Sequence, residues 1–165
     1  MRKVLSLVLT VAMVVGAQFA AAGEPMMVDL SSNAVGTLHV QAKLGGHVDT
    51  EFLLDTGSAF VVLSEATRRT LSEEGALVPL RRLRAVLANN AVTNAQVYRV
   101  ASLELASGCV VRDFEAVVLP GARKNILGLS ALRSVAPFTV HLEPLRLELN
   151  CVETPAAASV VALVN

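Results

Sequence analysis

The chain of 165 residues carries 14 Lys+Arg against 14 Asp+Glu, is 53% hydrophobic and 4% aromatic, and has no Trp. That balance excludes disordered, collagen-like and strongly basic nucleic-acid-binding classes, and the length suits one compact domain.

The chain opens with Arg2 and Lys3, an uncharged apolar run from Val4 to Val15, and small residues, which is the layout of a secretory signal peptide. Ala20-Ala21-Ala22 supplies the small-x-small rule, so cleavage is predicted before Gly23. Removing those 22 residues leaves 143, with 12 basic and 14 acidic side chains, and gives no electrostatic reason to expect DNA, RNA or an anionic membrane as partner. An uncleaved anchor is the alternative, because the 19 residues from Val4 to Ala22 are close to the minimum for crossing a bilayer. Either route exports the domain, with the periplasm the expected compartment and secretion or anchoring the variants of that reading. There Cys109 and Cys151 are free to form a disulfide, within one chain or between two, or to stay as thiols; the sequence does not choose.

The segment 23–34 reads as a lead-in to a domain over 35–150, followed by an apolar tail over 151–165. Short-period apolar patterning and frequent turn signals predict a mainly β domain. Strands are expected at Val35 to Leu44 and Val48 to Leu54, joined by a two-residue turn at Gly45-Gly46, and at Phe60 to Leu63. Ser64-Glu65-Ala66-Thr67 then starts a helix, with serine as cap, glutamate in the first turn and Gly75 as stop. Leu77 to Ala88 and Ala91 to Leu105 predict a long protruding hairpin turned at Asn89-Asn90, because asparagine tolerates left-handed backbone. Arg81, Arg82 and Arg84 on its first arm read as solvated edge charges. A strand from Val110 to Leu119 ends at the turn Pro120-Gly121. Asn125-Ile126-Leu127-Gly128 follows, then a short helix near Ser130 to Ser134 and a closing strand pair, Phe138 to Leu142 and Leu145 to Leu149.

The segment that carries chemistry is Phe52-Leu53-Leu54-Asp55-Thr56-Gly57-Ser58, an acid at the end of a strand apolar on both faces, as buried strands are. A carboxylate there is costly unless it is hydrogen-bonded or used. Thr56 and Ser58 offer hydroxyl donors, and Gly57 lets the backbone turn tightly and aim its N–H at the carboxylate. Taken alone, Asp-Thr-Gly also makes an ordinary turn. With the apolar strand before it, Ser58-Ala59-Phe60-Val61-Val62-Leu63 after it, a long hairpin next and Ile126-Leu127-Gly128 downstream, the chain resembles the retropepsin-like aspartic proteases over roughly Val35 to Leu149. The bacterial exported members, with one Asp-Thr-Gly per chain, are the most similar.

The resemblance implies an all-β, retropepsin-like acid protease barrel with a flap hairpin and one or two short helices. It implies a homodimeric endopeptidase needing no metal or organic cofactor, in which each subunit gives one catalytic aspartate, here Asp55, and the substrate is a peptide or protein. Thr56 matches the threonine that hydrogen-bonds across the dimer floor, Gly57 completes the loop, and Ser58 stands where family members carry Ala or Ser. Ile126-Leu127-Gly128 matches the strand that passes under the catalytic loop. Ala88-Asn89-Asn90-Ala91 matches the flap tip, and departs from the family pattern by lacking glycine.

Other chemistries find little support. His39, His47 and His141 are scattered without metal-ligand spacing, and no Gly-x-Ser-x-Gly elbow occurs. Asp29, Asp49 and Asp113 fall at turns or alternating surface positions, so one chain has no second aspartate for a paired site. The rival readings are a catalytically silent domain of the same fold that binds peptides or regulates a partner, and a structural domain that never dimerises.

Overall fold

The computed structural model describes residues 25–151 apart from residue 107. The predicted export segment 1–22 and all of the apolar tail except Cys151 lie outside the described residues. Ten strands carry the fold: β1 (Met26–Ser32), β2 (Leu38–Leu44), β3 (Val48–Leu54), β4 (Val61–Val62), β5 (Leu77–Val86), β6 (Val92–Ala106), β7 (Cys109–Val118), β8 (Asn125–Leu127), β9 (Phe138–Leu142) and β10 (Leu145–Leu149). Two helices interrupt them, α1 (Glu65–Glu73) and α2 (Leu129–Leu132), the second continued by a 3₁₀ turn over Arg133–Val135.

The strands run in the order β5-β6-β7-β4-β8-β3-β2-β1-β10-β9, and a further pairing joins β2 to β6. That extra pairing, Lys43 opposite Glu104 and Leu44 opposite Leu103, closes β6-β7-β4-β8-β3-β2 into a ring of six strands. Closure removes the free edges that an open sheet of these strands would expose. The apolar faces fill it: Val40, Leu44, Phe52, Val61, Leu63, Leu103 and Leu127 are all at most 1% exposed. Beyond the ring, β5 extends the sheet past β6 as one arm of the hairpin, and β1, β10 and β9 extend it past β2.

Local sequence explains most boundaries. Gly45 and Gly46 adopt φ of +59° and +87° and turn β2 back into β3. Ser64 caps α1, its hydroxyl accepting from the Thr67 N–H at 3.1 Å. Gly75 ends the helical run with φ of +68°.

One feature departs from the sequence expectation, and a second decides between alternatives that the sequence left open. Residues 26–32 are not a lead-in but a strand between β2 and β10, Met26 to Asp29 pairing with Leu149 to Arg146 and Leu30 to Ser32 with Val40 to Leu38. The domain therefore begins before residue 35. Cys109 and Cys151 form a disulfide within one chain, Cα atoms 5.4 Å apart, which staples the second residue after β10 to the first residue of β7.

Candidate active site

Asp55 follows the last residue of β3, and its position is set from below by β8. Strand β8 runs parallel to β3, with Leu53 opposite Ile126 and Leu54 opposite Leu127, and antiparallel to β4 through Val62 opposite Ile126. It thus lies between the strand that enters the loop and the strand that leaves it. The Asp55 N–H donates to the Leu127 carbonyl at 3.1 Å, carrying the ladder one residue beyond the strand. The loop then closes on itself, the Ser58 N–H donating to the Asp55 carbonyl at 3.2 Å.

The carboxylate is held by the backbone: Asp55 Oδ1 accepts from the Gly57 N–H at 2.9 Å. The hydroxyls behave differently from the sequence expectation. Ser58 Oγ donates to the Phe60 carbonyl at 2.8 Å and so braces the loop, not the acid. Thr56 is exposed and its hydroxyl has no hydrogen bond among the described residues. The surroundings also differ from the predicted buried strand. Phe52 is fully buried, but Leu53, Leu54 and Asp55 are half-buried and Thr56 and Gly57 are exposed. In one chain the Asp55 loop is a surface feature.

Gly128 is buried directly beneath that loop. A Cβ there would lie 2.2 Å from the Phe60 carbonyl oxygen and 2.7 Å from that of Ser58, so backbone occupies the space a side chain would need. The close approach is locked by hydrogen bonds: Leu129 N–H to the Ser58 carbonyl at 2.8 Å, Ser130 N–H to the Ala59 carbonyl at 3.1 Å, and Val61 N–H to Ser130 Oγ at 2.9 Å. Leu127 thus bonds Asp55 itself, Ile126 pairs with the strands on either side of the loop, and Gly128 meets the backbone of residues 58–60.

Sequence reasoning gave no role to Asn125 or Ser130. The Asn125 side chain accepts from the Ser64 N–H at 2.8 Å and donates to Thr50 Oγ1 at 2.9 Å and to the Glu51 carbonyl at 3.2 Å. It ties β3, β8 and the start of α1 together behind the loop. The signal was a polar residue opening an otherwise apolar triplet, where burial demands partners.

The hairpin of β5 and β6 is turned at the predicted asparagines. Asn90 takes φ of +63°, the Asn90 N–H donates to the Leu87 carbonyl at 2.8 Å, and Asn89 Oδ1 accepts from the Ala91 N–H at 3.0 Å. Ala88, Asn89, Asn90 and Ala91 are all exposed. Asparagine thus supplies the left-handed residue that glycine would otherwise give. One face of the hairpin, with Leu83, Ala85, Ala95 and Val97, packs with Phe60, Val62 and Ile126 in a second small apolar cluster beside the Asp55 loop.

The three histidines each meet a glutamate: His39 Nδ1 lies 3.1 Å from Glu51, His141 Nε2 lies 2.7 Å from Glu148, and His47 pairs with Glu74. Among the described residues no three His, Cys, Asp or Glu side chains gather as metal ligands. Asp29 pairs with Arg146 and Asp49 with Lys43, both at the surface.

A family model described as aspartyl protease matches residues 40–131, more than half of the chain. No curated protein matches. Among solved structures, a retropepsin-like aspartic protease from Rickettsia conorii is similar at a TM-score of 0.56 and 21% identity, over 75% of this chain and 89% of that one. The family match takes in the Asp-Thr-Gly loop and Gly128, and the chain belongs to the aspartyl protease family, with the retropepsin-like fold.

Proposed function

We propose that this protein is an aspartic endopeptidase that works as a homodimer in an exported compartment, Asp55 of each chain forming the catalytic pair. The observation that carries this reading is the half-buried Asp55 carboxylate on a loop braced from beneath by Gly128, Leu127 and Ser130, with the Asp-Thr-Gly edge still open to a second copy. One chain supplies one such acid, so a two-acid site requires two chains.

Two aspartates held about 3 Å apart cannot both ionise, so the pair keeps one proton and titrates as a unit. The ionised member takes a proton from a water lying between them, and that water attacks the peptide carbonyl. The protonated member donates to the developing oxyanion. In this reading Thr56, exposed beside Asp55, bonds across the two-fold axis of the dimer. The hairpin closes over an extended peptide, which its edges receive as an added strand. Nothing in this scheme calls on a cofactor. The N-terminal segment directs export and is removed before Gly23.

The test is cleavage of a diverse peptide mixture by purified protein, beside Asp55→Asn, across pH 3 to 8, with sedimentation of both. The expected result is cleavage by the native protein, a fall of at least about 10²-fold in the variant, and dimers in both. Dimers that cleave nothing in either form would overturn the peptidase reading. A strictly monomeric protein that cleaves normally would refute the shared site.

A further inference from the structure

The hairpin has a second face, and Arg81, Arg82 and Arg84 lie exposed on its edge strand as the sequence suggested. Arg81 is neutralised by a two-pronged pair with Glu115, at 2.6 and 2.7 Å. Arg82 and Arg84 have no ion pair among the described residues. They lie opposite Gln96 and Asn94, and strand alternation turns this set away from the apolar face of Leu83, Ala85, Ala95 and Val97 beside Asp55.

Between this outer face and the first turn of α1 is a cleft of about 380 Å³, lined by Arg82, Asn94, Gln96 and Tyr98 from the hairpin and by Glu65 and Arg68 from the helix. Its size is at the lower end for ligand-binding clefts. Arg68 is half-buried and already oriented by Glu65 at 3.2 Å, which cancels one charge and leaves Arg82 uncompensated, with Arg84 adding to the field. Gln96 spends its amide N–H groups on the carbonyls of Arg81 and Val97, so it is fixed in place. The cleft therefore offers guanidinium and phenol donors and the Asn94 amide, beside apolar walls from Val118 and Pro120, around one excess positive charge.

We propose that this cleft is a binding site for a carboxylate-bearing side chain of an acidic peptide, distinct from the Asp55 site and on the opposite face of the hairpin. A guanidinium presents two parallel N–H donors that match a planar carboxylate, so one carboxylate can take two hydrogen bonds from Arg82. An occupant held by Arg82 on β5 and by Arg68 on α1 bridges the hairpin to the body of the domain. The assignment stands on the chemistry of this face and is independent of peptidase activity.

The probe is the capped dipeptide acetyl-Glu-Glu-amide, titrated into purified protein and followed by calorimetry and by shifts of backbone amide resonances. Acetyl-Gln-Gln-amide is the neutral control and inorganic sulfate the tetrahedral anion. Saturable binding of the acidic dipeptide is expected, with shifts at residues 94–98, at least tenfold weaker in Arg82→Gln. In Arg84→Gln, which lies beside the cleft and not in it, a loss of only about twofold is expected, and it vanishes as salt rises. Absence of binding, equal affinity for the neutral dipeptide, an unchanged affinity in a folded Arg82→Gln protein, or tight sulfate binding without dipeptide binding would each overturn the proposal. Because none of these readouts needs cleavage, an inactive enzyme would leave the outcome legible.

Discussion

Replacing Gly128 with alanine isolates the contact that holds the Asp55 loop in place. Gly128 has φ of −99°, a conformation open to any residue, so alanine incurs no backbone strain of its own. The cost comes from what the added methyl meets. At 2.2 Å from the Phe60 carbonyl oxygen and 2.7 Å from the Ser58 carbonyl oxygen, it overlaps main chain that has no rotamer to change. Either the 58–60 segment or β8 must withdraw by most of an ångström, and the bonds from Leu129 to Ser58 and from Ser130 to Ala59, now 2.8 and 3.1 Å, are the ones that stretch. Overpacking of this kind costs about 1–3 kcal/mol, and each buried hydrogen bond weakened adds about 1 kcal/mol. A loss of about 3 kcal/mol or more is expected in urea unfolding followed by circular dichroism, together with loss of any peptidase activity. The comparison is Gly36→Ala, where φ is +80° but nothing lies within 4 Å of the new methyl. There the penalty is conformational and about 1–2 kcal/mol. If Gly128→Ala unfolds within about 1 kcal/mol of the native protein, or costs less than Gly36→Ala, the close-approach reasoning is refuted.

Reducing the Cys109–Cys151 disulfide, which spans 42 residues, is expected to cost about 4 kcal/mol at most on chain-entropy grounds, read as a lower urea midpoint in dithiothreitol. An unchanged midpoint would mean that the bond holds nothing the strands do not already hold. Asn125→Ala removes the acceptor of the buried Ser64 N–H and the donor to Thr50 and Glu51, and is expected to destabilise by about 2–3 kcal/mol in the same assay. A near-neutral result would show that water replaces all three bonds. The Arg81 guanidinium holds the Glu115 carboxyl below the usual carboxylate range, chiefly by its hydrogen bonds. With its folded value depressed, this pair contributes above the unfolded carboxylate value of about 4.3 and is lost as pH falls through the folded one. The difference in thermal midpoint between native protein and Glu115→Gln is therefore expected at neutral pH and to fade in acid, staying small because the pair is exposed. A difference that grows on acidification would reverse the assigned sign.

The strand pair Val48–Leu54 and Leu38–Leu44, the capped helix and the asparagine turn were legible because each is specified by neighbours in the chain: a Gly-Gly dipeptide, a serine before an acidic first turn, a residue tolerant of positive φ. The Asp-Thr-Gly loop was legible for the same reason, since its defining hydrogen bond runs from Gly57 to Asp55, two residues apart. The roles of Thr56 and Ser58 were not. Their hydroxyls could reach several acceptors of similar distance, and only the folded course of the chain presents the Phe60 carbonyl to Ser58. Strand β1 escaped notice because its partners, Leu147 and Leu149 on one side and Val40 on the other, pair with it from elsewhere in the chain, while its own pattern is weak, with only Leu30 buried.

By itself the sequence determined the β class, the turn positions and the local bonding of one acid in its loop, because these rest on local conformational preference and on residue type. The tertiary structure alone decided that Cys109 meets Cys151, that backbone fills the space above Gly128, and that Arg81 is paired while Arg82 faces a cleft. Each of those outcomes depends on which distant segments the strand pairings bring within a few ångströms: β8 between β3 and β4, β10 beside β1, and β5 and β7 on either side of β6.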